Sequence, residues 1–180
     1  EQINNGTHPG AAMAIYRYGK LVLDLYGGIS NTDTGESVNH NSLYVLFSST
    51  KPLAAACVAL LKERNKLAYD DKVVEHWPEF GKNGKESITI RHILTHTAGI
   101  PDTPDELTWD KWIDWDLVVN AMEETIPSFE PGNIIAYHPM NFGWLIGELV
   151  RRIDGRSFPE FLRDEITTPL EMNDTYVGLP

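Results

Sequence analysis

The chain has 180 residues, of which 42% are hydrophobic and 23% are charged, and its formal net charge is −11 at pH 7. This composition is typical of a soluble globular protein, and the length suits one domain, which we predict over residues 1–180. The negative charge argues against nucleic acid as a partner, because phosphate contacts need clustered Lys and Arg side chains. No apolar run approaches the ~20 residues of a membrane span. We therefore expect a soluble protein without a membrane span, with the cytoplasm slightly favoured over the periplasm or secretion.

Two short apolar runs near the N-terminus predict a β-hairpin. They are Ala11–Arg17 and Leu21–Tyr26, with Tyr18-Gly19-Lys20 between them and Gly27-Gly28 after the second strand. The polar residues that follow, Ser30–Asn41, predict a loop. Two strands alone are only marginally stable, so we expect this hairpin to join a larger antiparallel sheet.

The stretch Phe47–Leu61 predicts a buried helix that should be central to the fold. Proline is tolerated only in the first turn of a helix, so Pro52 indicates that the helix begins close to Ser48. Ser48 and Lys51 then lie one turn apart on a shared face. A partly desolvated lysine amine can take the proton of a serine hydroxyl and so activate it as a nucleophile. One such pair is common by chance, and a capping serine beside a solvated lysine is the alternative.

The next segment, Ile88–Thr95, predicts a short helix in which His92 begins a pair of histidines at helical spacing. His92 and His96 could share a metal ion. However, Ile93 stands where a zinc-protease helix carries a carboxylate next to its first histidine. We expect both histidines to make structural hydrogen bonds, and we predict no metal and no organic cofactor.

Three tryptophans, Trp109, Trp112 and Trp115, recur at every third position. They could line a hydrophobic substrate pocket, but we favour the interpretation that they pin this segment to the core, because large aromatic side chains dominate cores. The segment Leu117–Glu124 predicts a helix. The single cysteine, Cys57, cannot form an intramolecular disulfide and is expected to be a buried structural thiol.

Tyr137 is predicted to lie on a loop between a Pro131-Gly132 turn and an amphipathic helix. That helix is Phe142–Ile153, ended by Gly155, with a further short helix at Phe158–Ile166 and an irregular segment at Thr168–Pro180. Because Pro139 stops a helix from running through this point, Tyr137 precedes the helix. Loop residues at such a position are suited to chemistry.

Three segments taken together resemble the serine β-lactamase-like hydrolases, and within them the class C-type esterase branch that groups with penicillin-binding proteins. They are FSSTKPLAAACVALL, ITIRHILTHTAGIP and YHPMNFGWLIGELVRRIDGRSFPEFL, in this order. The resemblance implies that Ser48 is the acylated nucleophile, with Lys51 as its proton acceptor. It also implies that Tyr137 shuttles a proton between the serine and the leaving group, and that the amide of Ser48 is an oxyanion donor. The segment LTHTAGIP matches a signature with a structural role.

The chain departs from the family pattern after Tyr137. The family motif Tyr-x-Asn helps to bind the amide side chain of β-lactams and peptides, whereas His138 and Pro139 follow the tyrosine here, and Asn141 lies two places too late. This loss favours ester chemistry. We name His138 and Asn141 as candidate substrate-binding residues, and capping of the following helix is the alternative for His138. No third motif of Lys-Thr-Gly or His-x-Gly type follows Tyr137.

The expected fold is therefore α+β of the β-lactamase/transpeptidase-like type, with a helical region and the N-terminal hairpin of an antiparallel sheet. The remaining strands are absent from this chain, so residues 1–180 are expected to be the N-terminal portion of such a domain. The predicted function is a carboxylesterase-like serine hydrolase that forms an acyl-enzyme. A β-lactamase or D-amino-acid peptidase, and a non-catalytic fragment or binding module, are the alternatives. The predicted partners are a small-molecule ester or amide substrate and a second chain or further segment that completes the sheet.

Overall fold

The structure is a computed structural model that describes residues 1–178. The chain separates into two compact units, Glu1–Val45 and Leu46–Pro180. The first contains a three-stranded antiparallel sheet and the second contains the helices, as the α+β prediction requires. This division does not decide whether residues 1–180 form one domain, so the single domain stays a prediction.

The first unit is a meander in the order β1-β2-β3. Its strands are β1 (Gly10–Arg17), β2 (Lys20–Asn31) and β3 (Glu36–Ser37). Tyr18 and Gly19 join β1 to β2 with φ angles of 50° and 73°. Positive φ at both central residues is typical of a two-residue hairpin turn, because it matches the right-handed twist of the strands. The predicted hairpin is confirmed.

The second strand is longer than predicted, because Gly27-Gly28 does not end it. Strand β2 continues to Asn31 and pairs with β3, which lies inside the segment predicted as a loop. Gly28 has φ 86°, and a Cβ added to it would lie 2.2 Å from the carbonyl oxygen of Pro9. Here glycine allows two backbones to approach closely, which is the other common reason for glycine in a strand.

The part of the second unit that the structure describes, residues 46–178, has five α-helices. They are α1 (Lys51–Glu63), α2 (Ile90–Leu94), α3 (Trp115–Glu124), α4 (Asn141–Asp154) and α5 (Phe158–Leu162). Short 3₁₀ turns lie at Phe47–Thr50, Val73–Glu75, Pro78–Gly81 and Trp109–Lys111, and a π-helical turn at Arg163–Thr167 follows α5. No helix within residues 1–178 is long and apolar enough to cross a membrane. The predicted irregular segment 168–180 ends in two residues, Leu179 and Pro180, that lie outside the described residues.

The central helix of this unit is α4, whereas the sequence predicted that the helix after Ser48 would be central. Helix α4 packs against α1, α2, α3 and α5. Helix α1 buries a single stripe, consisting of Ala54, Cys57, Val58 and Leu61. Helices α4 and α5 pack on this stripe, whereas other small apolar residues of α1, such as Ala56 and Ala59, are exposed.

Helix boundaries follow the capping signals. Thr89 caps α2, because its hydroxyl accepts a hydrogen bond from the amide of His92. Gly155 ends α4 with φ 94°, a left-handed conformation that glycine adopts without steric cost. The buried thiol of Cys57 is confirmed, and burial raises its pKa to about 12.

Candidate active site

The structure brings together the three side chains predicted to carry catalysis. Tyr137 Oη lies 2.5 Å from Ser48 Oγ, although the two residues are 89 positions apart in the chain. Lys51 Nζ lies 3.2 Å from the same oxygen. Ser48 and Tyr137 are both exposed, so a small molecule can reach them.

Ser48 is positioned by a strained turn. Phe47 has φ 47°, which is rare for a bulky residue, and a 3₁₀ turn from Phe47 to Thr50 leads directly into α1. Pro52 lies in the first turn of α1, where its missing N–H leaves no hydrogen bond unmade. The prediction that the helix begins close to Ser48 is confirmed, with a 3₁₀ turn as its first turn.

Lys51 is held between Ser48 and the loop that carries Tyr137. Its ammonium donates a hydrogen bond to the carbonyl oxygen of Pro139 at 2.7 Å and lies 4.8 Å from the centre of the Tyr137 ring. The nearby Lys51 ammonium lowers the pKa of the Tyr137 phenol, and the hydrogen bond with Ser48 lowers it further. Tyr137 thus reaches its phenolate form more readily than a free tyrosine.

Tyr137 is positioned by His96, which bonds to both of its chain neighbours. The carbonyl oxygen of His96 accepts a hydrogen bond from Ala136 N at 3.0 Å, and its Nδ1 accepts one from His138 N at 3.1 Å. The imidazole also packs against the Tyr137 ring, with 4.8 Å between ring centres. Burial lowers the pKa of His96, and the charges of His138 and Lys51 lower it further. The neutral imidazole is the form that can accept the bond from His138.

His138 and Asn141 lie in the core. His138 is 1% exposed; its Nδ1 donates to the carbonyl of Ala136 at 2.6 Å, and its Nε2 accepts from Ile100 N at 3.2 Å. Asn141 is 0% exposed, and its amide nitrogen donates to the carbonyl oxygens of Ile100 and Asp102. This geometry favours a structural role for both, since neither side chain is exposed to a substrate. Substrate binding by either residue stays an untested prediction.

The paired histidines make structural hydrogen bonds, as predicted. The Nδ1 atom of His92 accepts a bond from Thr89 N, and His96 bonds to the Tyr137 loop as described above. Within residues 1–178, no group of three His, Cys, Asp or Glu side chains is placed to hold a metal ion.

A cavity of about 490 Å³ opens beside Ser48. Its wall contains Trp115, for which the sequence analysis favoured anchoring and kept the lining of a substrate pocket as the alternative. The three tryptophans in fact differ: Trp109 is 80% exposed, and Trp112 packs edge-on against Trp144 with ring centres 5.7 Å apart. The prediction of a common anchoring role is therefore wrong for Trp109. Periodicity alone could not separate the three residues.

Together, the fold and this site are those of the β-lactamase family, whose members include serine hydrolases. The family model described as Beta-lactamase matches residues 1–180, and the chain belongs to that family. Esterase/beta-lactamase LipL of Mycobacterium tuberculosis is 32% identical over 174 residues, which make up 95% of this chain and 39% of that protein.

Two solved structures share the fold closely. A penicillin-binding protein homologue from Caulobacter crescentus has a TM-score of 0.92 and 37% identity, and the match covers 99% of this chain and 48% of that one. A family VIII carboxylesterase has a TM-score of 0.92 and 31% identity, and the match covers 99% of this chain and 49% of that one. These matches confirm the predicted fold class. This chain spans less than half the length of each of these three relatives.

Proposed function

We propose that the chain carries the nucleophilic half of an ester-hydrolysing site that works through an acyl-enzyme on Ser48. The observation that carries the proposal is the convergence of Lys51 Nζ and Tyr137 Oη on the single oxygen of Ser48. Nucleophile and base within hydrogen-bond reach, with the base oriented by a third group, is the arrangement that activated serine hydrolases share.

In the proposed acylation step, Ser48 Oγ attacks the ester carbonyl carbon while its proton passes to the Tyr137 oxygen. Tyr137 fits this role because its oxygen lies closer to Ser48 than Lys51 Nζ does, and because its pKa is lowered. The Lys51 ammonium stabilises the phenolate that starts the step. Tyr137 then gives the proton to the leaving alkoxide as the carbon–oxygen bond breaks, and the alcohol departs.

In the deacylation step, a water molecule attacks the acyl carbon and gives its proton to Tyr137. The bond to Ser48 Oγ breaks as Tyr137 returns this proton to the serine oxygen, and the carboxylic acid leaves. The backbone amide of Ser48 is the proposed donor to the oxyanion in both steps.

Ester rather than amide chemistry is proposed because the chain lacks the Tyr-x-Asn pattern that serves amide side chains in the family. A β-lactamase or D-amino-acid peptidase is the second candidate, since the printed names of the relatives include both an esterase/beta-lactamase and a penicillin-binding protein homologue. A short-chain nitrophenyl ester tested against a chromogenic cephalosporin separates the two. Turnover of the cephalosporin alone would overturn the choice of esters.

The direct test of the nucleophile is labelling with a fluorophosphonate, from which Ser48 Oγ would displace fluoride at phosphorus. We expect one adduct by intact mass, mapped to Ser48 by peptide mass spectrometry. Ser48→Ala and Lys51→Ala should abolish the adduct, whereas Ser49→Ala, which changes the neighbouring exposed serine, should retain it. Folded protein without an adduct would contradict the proposal and favour a non-catalytic module.

A further inference from the structure

The cavity beside Ser48 lies between several helices of the second unit. Its wall includes Lys51 and Ala54 of α1, Gly143 of α4, and residues at the start of α3 and α5. Its volume of about 490 Å³ lies in the range of about 300–1,000 Å³ found for small-molecule sites. Because Ser48 itself is part of the wall, a group that fills the cavity would be next to the nucleophile.

The lining of this cavity is almost wholly apolar. Large hydrophobic side chains form most of it: Trp115, Met140, Phe142, Trp144, Phe158 and Val177. The indole N–H of Trp115 is already used, because it donates to Glu148 Oε2 at 2.8 Å. A charged or strongly polar group placed here would lose its hydration and find few partners in return, which is unfavourable.

Among the described residues, the one charged side chain on the wall is Lys51, and it is already engaged. Its Nζ donates to the carbonyl oxygen of Pro139 and lies within hydrogen-bond distance of Ser48 Oγ. These two contacts leave one N–H of the ammonium for a carboxylate in the cavity.

The position of Tyr137 indicates which part of an ester fits the cavity. Tyr137 is not among the lining residues, although its oxygen is 2.5 Å from Ser48 Oγ. The leaving alcohol must approach Tyr137 to receive its proton, so the alcohol lies on the Tyr137 side of the serine. The acyl group then lies on the cavity side.

We propose that this cavity is an acyl-binding site that selects uncharged, apolar acyl chains of medium length, of which octanoyl is an example. The assignment of the cavity to the acyl group rests on the proposed function of Ser48. The prediction that the cavity binds an apolar group rests on its lining alone. Binding of an apolar group and the assignment of that group as the acyl chain can therefore be tested separately.

Gly143 provides a matched pair of variants for the test. It lies on the cavity wall in α4, and a Cβ added to it would have no atom within 4 Å. Gly143→Leu should therefore fill the cavity without a clash at the backbone, and Gly143→Ala should leave most of the volume open. Both variants should fold, because leucine and alanine favour helix over glycine.

The binding test uses octanamide, an unreactive neutral mimic of the acyl chain, and its ω-carboxylate analogue. Trp115 and Trp144 on the wall report binding through tryptophan fluorescence. We expect octanamide to bind at least tenfold more tightly than the charged analogue. Gly143→Leu should weaken octanamide binding at least tenfold, and Gly143→Ala should change it less than threefold. Equal binding of both compounds, or no effect of Gly143→Leu, would overturn the proposal.

The reaction test compares Ser48 labelling by fluorophosphonates that carry a methyl or an octyl chain. We expect faster labelling by the octyl probe and loss of this preference in Gly143→Leu. Labelling at equal rates by both probes would overturn the acyl site and leave the proposed function intact. Octanamide binding without any labelling would overturn the proposed function and the acyl assignment, and leave an apolar ligand site.

A second copy of the chain is the competing occupant of the apolar cavity. Sedimentation velocity of the wild type and of Gly143→Leu tests it. A monomer in both cases supports the small-molecule site. A dimer that Gly143→Leu dissociates, together with no octanamide binding, would overturn the proposal.

Discussion

At the scale of single residues, His96 contacts the predicted catalytic loop at several points. It bonds to the residue before Tyr137 and to the residue after it, and it packs against the tyrosine ring. His96 itself has φ 60°, a left-handed conformation that asparagine tolerates better than most residues. These contacts predict that His96 positions Tyr137.

The positioning role predicts a difference between two substitutions of His96. His96→Ala removes the acceptor for His138 N and should slow Ser48 labelling by a fluorophosphonate at least tenfold. Asparagine offers a side-chain oxygen near the same place, so His96→Asn should recover most of the rate. Labelling rates are compared with melting temperatures, because a purely structural effect would slow labelling only in proportion to lost stability. Equal rates for the two variants would contradict the role.

The titration of Tyr137 gives a prediction that can be tested without measuring activity. The Lys51 ammonium lowers the pKa of its phenol, so the phenolate forms at a lower pH than in free tyrosine, whose pKa is about 10. Lys51→Met removes this positive charge and should move the titration of Tyr137 to higher pH. Tyrosine labelled with ¹³C at Cζ, with the signal assigned by Tyr137→Phe, gives the pKa by NMR. An unchanged titration in Lys51→Met would remove Lys51 as the cause.

At the scale of secondary structure elements, α4 supports both the site and the core. Its first residues line the cavity beside Ser48, and its buried face contacts the other four helices. Gly147 contributes to this packing, since a Cβ there would lie 2.7 Å from the Trp115 ring. The cavity wall formed by Trp115 therefore depends on a glycine in the middle of α4.

Two glycine-to-alanine substitutions, one inside α4 and one at its C-terminal cap, should have opposite effects on stability. Gly155 has φ 94° with open space around it, so Gly155→Ala adds only left-handed strain and should lower the free energy of unfolding by about 1 kcal/mol. Gly143 has helical backbone and equally open space, so Gly143→Ala should raise that free energy by up to about 1 kcal/mol. Urea denaturation followed by tryptophan fluorescence measures both. A destabilised Gly143→Ala would show that the site around Gly143 needs its present shape.

Local signals in the sequence predicted where helices, strands and turns lie better than they predicted which of their residues are buried. The turn at Tyr18-Gly19 and the end of α4 at Gly155 follow from backbone preferences that the sequence displays directly. The continuation of β2 past Gly28 depends on the approach of Pro9, which is distant in the chain. The one-sided burial of α1 likewise depends on which elements pack against it.

The candidate site likewise has residues whose proximity local geometry predicts and residues whose proximity it does not. Ser48 and Lys51 are one turn apart, so their proximity is predictable from local geometry. The addition of Tyr137 came from resemblance to a family, because spacing cannot bring together residues 89 positions apart. The hydrogen bonds of the His138 imidazole were not predictable at all, since both of its partners are backbone groups that only the folded loop brings close.

At the scale of the whole molecule, a falling pH should lower the free energy of unfolding in two stages. Burial lowers the pKa of both His96 and His138, so the native state binds fewer protons than the unfolded state as the pH falls below about 6.5. Glu165 belongs to a later stage, since Arg64 and Arg156 lower its pKa to about 2. Its contribution is complete above the ordinary pKa of a glutamate and is lost as the pH falls towards 2.

The first stage can be measured by urea denaturation between pH 7.5 and pH 5.5. The free energy of unfolding should decrease as the pH falls through this range, because the unfolded histidines take up protons that the buried ones resist. The decrease should be smaller in His138→Gln, which keeps an amide donor and acceptor but does not titrate. A stability that rises towards pH 5.5 would contradict the lowered histidine pKa values.

Because Cys57 is buried, the rate at which its thiol is modified reports how often the native structure opens. The thiol is 0% exposed, it is the only cysteine in the sequence, and its pKa of about 12 suppresses the reactive thiolate in the native state. A thiol reagent can therefore modify it at an appreciable rate only when α1 separates from the core. With rapid reclosing, the modification rate divided by that of an unfolded peptide gives the equilibrium constant for opening. Every variant described above can thus be compared by mass spectrometry in native buffer, without denaturant.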